Sequence, residues 1–332
     1  MRREATLSFE PQGFTDVEPI ARGGMGEVLR ARETQMGRTV ALKVFPDLGS
    51  TDGADRELAV AGWLGVHPHL VTVHGRGHTP SGHDYLVMPW YDGGSLADEV
   101  RRRGPLPVAE TLVLGVKLAG ALAHLHRRGV VHRDVKPANV LLSAAGEPAL
   151  ADYGLACLPG ETHQPAAGLT PLHAAPEVLR GEESTPRSDV WSLVSTLCTV
   201  LDRSDVPLPL ADLLTAATSV DPDQRPGDGS ELATRLQAVQ EHLGLPVTEI
   251  PAVPAATPVP APPVPAPAPA APAWAVPYPA GARFSPGPPE TVLRNPRPTV
   301  AFPRWKALSL GTLSGSALGL LVLALASVLH LW

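Results

Sequence analysis

The first part of the chain alternates hydrophobic and polar residues with the period of two that is typical of strands. Residues 1–13 are polar and are expected to be frayed. Over residues 14–87, short runs rich in branched side chains dominate, and residues 55–64 fit a short helix with Thr51 or Asp52 as its cap. The strands that this pattern predicts are 39–44, 70–74 and 84–88.

A helical period replaces this alternation after Gly94. Apolar residues at helical spacing predict one long amphipathic helix over 108–126, and further helices over 189–201 and 230–243. The leucines expected to turn the long helix towards a core are Leu114, Leu118, Leu122 and Leu125. The predicted fold class is therefore α+β, with a small β-rich part followed by a larger helical part.

The composition changes after about residue 245. Of the 38 prolines, 19 lie between Pro246 and Pro303, among repeats of alanine and valine. Proline fixes φ and has no backbone N–H, so this stretch cannot build a helix or a sheet. Residues 246–303 are therefore predicted to be a disordered, proline-rich linker of polyproline-II character. The alternative is a ligand for a proline-binding domain.

An apolar stretch follows this linker. Residues 307–331 contain no Asp, Glu, Lys or Arg, and 25 residues are long enough to span a bilayer. Arg304 and Lys306 precede the stretch, and basic residues favour the cytoplasmic side of a membrane. The sequence predicts one C-terminal transmembrane helix in contact with lipid, with the domain before it in the cytoplasm. The alternative, a buried core helix, would need a domain around it.

Charge and cysteine content narrow the functional classes. The formal net charge is −6 and no basic run is longer than residues 101–103, so nucleic acid is not an expected partner. Cys157 and Cys198 are the only cysteines. Without an N-terminal signal peptide, they are expected to be free thiols in a reducing compartment. Neither they nor the twelve histidines have metal-ligand spacing.

Residues 130–139 carry the most specific chemistry of the chain. They place Asp134, Lys136 and Asn139 at fixed spacing, and Asp152 follows Asn139 by thirteen residues. A carboxylate can orient a hydroxyl, an amine can neutralise a moving phosphate, and an amide with a second carboxylate can hold a metal. This set matches phosphoryl transfer from a magnesium nucleotide.

Two further motifs precede this segment: a glycine-rich run over 20–28 and the sequence Val-Ala-Leu-Lys at 40–43, within the predicted strand. Together with residues 130–139 and the Asp-Tyr-Gly sequence at 152–154, they are similar to the motifs of a protein kinase. Over 14–243 the chain resembles the eukaryotic-like (Hanks-type) kinases and is most similar to bacterial transmembrane serine/threonine kinases. The resemblance implies a two-lobed fold, with a small β-rich N-lobe and a larger helical C-lobe.

The resemblance implies that ATP is bound by the glycine-rich loop, whose backbone amides can approach phosphate oxygens closely. Lys43 would contact the α and β phosphates and pair with Glu57, although the interval between them is shorter than in the family. Met88 would be the gatekeeper, with the Pro89 carbonyl and the Tyr91 amide left to bind adenine. The other residues of the predicted ATP site are Ile20, Ala21, Arg22, Gly23, Gly24, Met25, Gly26, Val28 and Ala41.

The same resemblance assigns the catalytic roles. Asp134 would accept or orient the proton of the substrate hydroxyl, and Lys136 would stabilise the transferring phosphoryl group. Asn139 and Asp152 would hold magnesium, or manganese in its place. A lysine at position 136 is typical of serine/threonine rather than tyrosine kinases.

Arg133, directly before Asp134, implies control by a phosphate on the activation segment. Thr162 is the predicted regulatory phosphosite, and an ordinary exposed loop threonine is the alternative interpretation. Thr170 fits the position that touches Asp134 and Lys136.

Three further residues have structural roles by resemblance. Glu177 would pair with a buried Arg225, and Asp189 would brace the catalytic loop. The segment 202–207 is much shorter than the insertion that the family has after the helix ending near Leu201. This departure puts the docking of protein substrates in doubt, but not the ATP chemistry.

The sequence thus favours a membrane-tethered serine/threonine kinase that transfers the ATP γ-phosphoryl group to protein hydroxyls, including its own. The alternative is a membrane-anchored nucleotide-binding pseudokinase or scaffold, favoured by Ala21 in place of a glycine, Tyr153 in place of a phenylalanine and the short 202–207 segment. A third interpretation is a structural anchor in which the proline-rich linker is the working part. Protein substrates are the expected partners, and a dimer or a regulatory partner is left open.

Overall fold

The computed structural model describes residues 13–23, 26–45, 52–79, 82–152, 156 and 171–251. The chain divides into two units, Met1–Pro267 and Ala268–Trp332, and every described residue lies in the first. Several predictions therefore lie outside the described residues. These are the frayed start, the cap at Thr51, the roles of Tyr153, Thr162 and Thr170, the thiol of Cys157, the proline-rich linker from residue 252 on and the transmembrane helix. The predicted start of the linker at residue 246 is wrong, because Thr248 N donates to Gln240 Oε1 at 2.9 Å and so attaches this segment to the folded domain.

A five-stranded antiparallel sheet forms the N-lobe, in the order β1-β2-β3-β5-β4. Branched and aromatic side chains on one face form its core, which is why the strand pattern is strong in the sequence. Its buried members are Leu29, Ala31, Val40, Leu42, Val44, Tyr85 and Val87. The strands are β1 (Phe14–Gly23), β2 (Gly26–Glu33), β3 (Arg38–Val44), β4 (Gly75–His78) and β5 (Asp84–Pro89).

The predicted strand over 70–74 is wrong, because the fourth strand of the sheet lies later, at Gly75–His78. Residues 70 and 71, at the start of this hydrophobic run, contact the C-lobe instead. Leu70 forms an isolated bridge with Leu150, and Val71 N donates to Leu150 O at 2.9 Å. Strand β4 was missed because of its glycines, yet a Cβ at Gly77 would collide with the Tyr85 ring of β5. The first error arises because Leu70 and Val71 contact Leu150, a residue far away in the sequence.

Helix α1 (Asp52–Leu64) packs on this sheet. It begins three residues earlier than predicted, so Asp52 is its first residue and not its cap. Val60 and Leu64 are buried in the main core, which anchors the helix on the C-lobe side.

The C-lobe is built around α3 (Val108–His126), and the predicted bounds of this helix are confirmed. The four leucines predicted to face a core are all buried. Among the described helices, α3 alone is long and apolar enough to cross a membrane, but 72% of its apolar window is buried, as in a core helix. The other helices are α2 (Leu96–Arg103), α4 (Pro176–Leu179), α5 (Pro186–Val200), α6 (Leu208–Ala217) and α7 (Gly229–His242), with a hairpin of β6 (Val140–Leu142) and β7 (Pro148–Leu150).

Helix α2 was missed by the prediction, although its start signal is present in the sequence. Ser95 Oγ accepts from Asp98 N at 3.1 Å, and Ser95 N donates to Asp98 Oδ2 at 3.2 Å, which forms a capping box. Helix α5 begins three residues before the predicted start, since Pro186 suits the first turn of a helix. Element type was thus predictable where a helix is long and apolar, and less so where a cap decides it.

Helices α3 and α7 approach so closely at Gly229 that only hydrogen fits there. A Cβ at this position would lie 2.5 Å from both Ala119 O and Ala123 N, which are backbone atoms that cannot give way. We expect Gly229→Ala to lower the free energy of unfolding by about 1–3 kcal/mol, the usual cost of overpacking. Urea unfolding of the purified protein measures it.

The matched control is Gly62→Ala in α1, where a Cβ would meet no atom within 4 Å. Alanine is a better helix former than glycine, so the free energy of unfolding of this variant should rise by up to about 1 kcal/mol. Equal unfolding free energies for the two variants would contradict the close approach of α3 and α7.

Candidate active site

Strand β3 and helix α1 bring Lys43 and Glu57 together inside the protein. Lys43 Nζ lies 2.5 Å from Glu57 Oε2 and 2.8 Å from Asp152 Oδ1. Burial lowers the pKa of Lys43, but the Glu57 and Asp152 carboxylates outweigh this effect, and the net pKa is raised. The ammonium therefore stays protonated while it connects the N-lobe with the segment that carries Asp152.

The pairing with Glu57 forms although the sequence interval between the two residues is short. Leu64, at the end of α1, accepts a hydrogen bond from His124 Nε2 of α3 at 2.8 Å. The His67 ring packs on His124, with their centroids 4.9 Å apart. Burial, and then the charges of His124 and His69, lower the pKa of His67 to about 4, so this contact is uncharged at neutral pH. The C-terminal end of α1 is thereby fixed to α3, which also fixes Glu57.

The loop between α3 and β6 is the catalytic loop. Its residues Asp134, Lys136 and Asn139 form one hydrogen-bonded group. Lys136 Nζ lies 2.7 Å from Asp134 Oδ2, and Asn139 Nδ2 donates to the same oxygen and to Asp134 O at 2.8 Å. Asp134 and Asn139 are buried. The three side chains are therefore held in one geometry rather than left to sample several.

A buried carboxylate, Asp189 at the start of α5, holds the backbone of this loop. Its two oxygens accept from His132 N at 2.8 Å and from Arg133 N at 2.9 Å. Arg133 has φ 71°, in the left-handed region that non-glycine residues rarely adopt. The bracing role predicted for Asp189 is thus visible in its hydrogen bonds. His126 Nε2, at 3.0 Å, is a further partner that the sequence did not reveal.

Asp152 and Asn139 are joined through their neighbours. Ala151 N donates to Asn139 O at 2.8 Å, and Asp152 has φ 72°. The side-chain nitrogen of Asn139, Nδ2, donates to Asp134. The side-chain oxygen of Asn139, Oδ1, is therefore the atom that is able to bind a cation. This amide and the Asp152 carboxylate are the hard oxygen donors that magnesium prefers, and phosphate oxygens of a nucleotide would complete the shell. Among the described residues, no three His, Cys, Asp or Glu side chains are grouped to hold a metal by themselves.

The predicted adenine-binding residues lie at the end of β5 and just beyond it. Met88 pairs with Ala41 of β3, and Pro89 pairs with Val40. Met88 and Tyr91 pack against a small buried cluster of Val71, Ala149 and Ala151. The predicted adenine-binding residues therefore contact both the sheet and the β6–β7 hairpin.

The described part of the glycine-rich run forms the end of β1 and the start of β2. Ile20, Ala21 and Arg22 are exposed on β1, while Val28 lies opposite Lys43 in the β2–β3 ladder. Gly23 ends β1 and Gly26 begins β2 with φ 134°. Gly24 and Met25 lie outside the described residues.

Glu177 and Arg225 form a buried two-point ion pair, as expected. Arg225 Nη1 and Nη2 donate to Glu177 Oε1 and Oε2 at 2.7 and 2.9 Å. Burial raises the pKa of Glu177, but the hydrogen bonds from Arg225 and Ser188 outweigh it, and the net pKa is lowered. Arg225 also lies over the Trp191 ring, 4.8 Å from its centroid. The pair ties the segment after the catalytic loop to the end of the domain.

Three supporting residues, Thr196, Ser195 and His173, carry no signal in the sequence, because only tertiary contacts reveal them. Thr196 Oγ1 of α5 lies 3.3 Å from Val135 O, between the two catalytic-loop residues Asp134 and Lys136. Ser195 and His173 form a second contact beside it, at 3.2 Å. No local pattern in the sequence marks any of the three.

The chain matches a known protein family and several characterised relatives. A family model described as the protein kinase domain matches residues 14–230. Serine/threonine-protein kinase PknK of Mycobacterium bovis is 38% identical over 273 residues, which cover 72% of this chain and 25% of that protein. PknD of Mycobacterium tuberculosis is 37% identical over 186 residues, covering 54% of this chain and 28% of PknD. The chain thus spans about a quarter of the length of these relatives.

PknL of Mycobacterium tuberculosis, also described as a serine/threonine-protein kinase, matches over most of its length. It is 31% identical over 271 residues, which cover 70% of this chain and 67% of PknL.

The buried pair of Glu177 and Arg225 gives a stability test. Glu177→Gln leaves the Arg225 guanidinium, whose side chain is fully buried, without its carboxylate. We expect it to lower the free energy of unfolding by about 3–5 kcal/mol. The double variant Glu177→Gln/Arg225→Met removes both charges. Its free energy of unfolding should therefore fall less than that of the single variant. Urea unfolding of wild type, single and double variants measures the coupling, and a negligible loss in the single variant would show that the pair contributes little.

Proposed function

The chain belongs to the protein kinase family, and we propose that it is an active serine/threonine kinase anchored to a membrane. It transfers the γ-phosphoryl group of ATP to hydroxyl groups of proteins, including its own. The observation that carries this proposal is the formation of two groups of side chains, which are linked by the hydrogen bond from Ala151 N to Asn139 O at 2.8 Å. One is Lys43 with Glu57 and Asp152, and the other is Asp134 with Lys136 and Asn139.

The two groups divide the chemistry between them. Asp134 Oδ2, held by Lys136 and Asn139, is placed to orient a substrate hydroxyl and to take its proton. Lys136 and Lys43 supply positive charge to the phosphate oxygens. Asn139 and Asp152 would hold a magnesium ion, which when bound with ATP neutralises charge on its phosphates. Because Glu57 pairs with Lys43 and the loop is braced by Asp189, these groups need little reorganisation before transfer.

The membrane part of the proposal rests on the sequence. Residues 307–331 carry no Asp, Glu, Lys or Arg, and Arg304 and Lys306 precede them. We infer a single span with the kinase domain on the cytoplasmic side, joined to it by the proline-rich linker from residue 252 on. Protein substrates that reach this surface, or lie on it, are the expected targets.

Asp134→Asn should abolish transfer while leaving nucleotide binding intact, because it removes the proton acceptor but keeps the shape of the side chain. We expect kcat to fall by about 10²–10⁴-fold, the usual contribution of a general base. Transfer of labelled phosphate from ATP to the protein itself and to a generic basic protein measures this.

The matched control is Asp212→Asn, an exposed carboxylate on α6 that should leave transfer unchanged. If the wild type binds nucleotide but transfers no phosphate, the chain is a pseudokinase or scaffold. Equal transfer by wild type and Asp134→Asn would remove Asp134 from the mechanism.

Deleting residues 307–332 should release the protein from membranes and keep its kinase activity, because the deleted stretch carries none of the catalytic side chains. The measurement is sedimentation with membranes, followed by phosphate transfer from each fraction. A control deletion of the same length inside the linker, residues 258–283, should keep the protein in the membrane fraction. Membrane sedimentation of the 307–332 deletion would contradict the anchor.

A further inference from the structure

His173 is a buried titratable residue that contacts α5, the helix whose Thr196 Oγ1 lies 3.3 Å from Val135 O of the catalytic loop. It sits just before α4 and is only 6% exposed. Its Nδ1 lies 3.2 Å from Ser195 Oγ on α5. Helix α5 also supports the catalytic loop, through Asp189 and Thr196. One helix therefore holds both His173 and the loop that carries Asp134.

The hydrogen bonds around Ser195 define the proton position on the imidazole. Ser195 Oγ donates to Leu172 O at 3.3 Å, and a hydroxyl has a single proton. His173 Nδ1 must then be the donor in its contact with Ser195 Oγ. The neutral ring is therefore anchored through Nδ1–H, and acid would add its proton at Nε2.

Among the residues that the structure describes, the charges that act on His173 are those of Lys136 and Asp134. Burial lowers the pKa of His173, the nearby Lys136 ammonium lowers it further, and the Asp134 carboxylate opposes them. Helix α5 supplies a hydroxyl at the contact, not a charge. The ring is therefore neutral at neutral pH, and its protonation would change the electrostatics of Asp134 and Lys136 directly.

We propose that His173 is a positioning residue for the Asp134–Lys136 pair, and that its protonation switches phosphoryl transfer off. This inference rests on the proposed kinase function. A neutral ring fixed by Ser195 leaves Lys136 as the partner of Asp134 and adds no second positive charge beside it. An imidazolium would attract the Asp134 carboxylate and repel the Lys136 ammonium, so Asp134 would be less able to take a proton from the substrate.

The kinetic test compares the pH dependence of kcat for wild type and His173→Gln, using the whole 332-residue chain in detergent. Glutamine can still donate to Ser195 Oγ but does not titrate. In wild type, kcat should fall by about tenfold per pH unit once the pH is below the pKa of His173. His173→Gln should have a lower kcat at pH 8 but a weaker fall towards pH 5, with KM for ATP little changed. Protonation of ATP affects both proteins alike and cancels in the comparison.

Two controls separate this effect from a loss of structure. His242→Gln removes an exposed histidine at the end of α7 and should retain the acid fall of wild type. Ser195→Ala keeps the imidazole but removes its anchor, so it should lower kcat while the acid fall persists. If His173→Gln and wild type show the same acid fall, the proposal is overturned. The same holds if the Gln variant loses activity equally at every pH.

A second measurement does not depend on activity. The NMR resonance of the His173 ring, assigned by its absence in His173→Gln, can be titrated in wild type, Lys136→Met and Asp134→Asn. Loss of the Lys136 charge should move the midpoint to higher pH, and loss of the Asp134 charge should move it lower. Unchanged midpoints would sink the coupling even if the wild type is active. Shifted midpoints in a wild type that transfers no phosphate at any pH would instead refute the proposed function.

Discussion

The buried carboxylate of Asp189 is the contact on which the geometry of the catalytic loop depends. It is fully buried, accepts from two consecutive backbone amides at His132 and Arg133, and is also bound by His126. Burial raises the pKa of Asp189, but the hydrogen bonds from His126 and the loop outweigh it, and the net pKa is lowered. An ionised acceptor at this place compensates the unusual φ of Arg133, and Asp134 follows directly.

A second constraint joins the two lobes at the same place. Lys43 comes from the sheet and contacts Asp152 of the C-lobe, while Ala151 bonds to Asn139 on the catalytic loop. Leu70 and Val71, which were expected to extend the sheet, instead attach the N-lobe side to β7. The site therefore forms only when both lobes are folded and in contact, because neither contains the complete set of side chains.

The sequence predicted the elements whose pattern is local. Strand β3 and helix α3 were predictable because branched residues are frequent in the strand and leucines recur at helical spacing along the helix. The same logic failed over 70–74, where Leu70 and Val71 are buried without belonging to the five-stranded sheet. Helix α2 was missed because its apolar face is narrow, although the Ser95–Asp98 capping box was readable.

Among the functional residues, the sequence by itself determined the identity and order of Lys43, Asp134, Lys136, Asn139 and Asp152. Their chemistry follows from residue type, and their spacing along the chain is covalent. Only the tertiary structure decided that Glu57 reaches Lys43 despite the short interval, that His124 fixes the helix behind it, and that His173 contacts the helix that supports the catalytic loop. The physical reason is that burial, pKa and hydrogen-bond partners depend on segments far apart in the chain. No local pattern encodes which of those segments will meet.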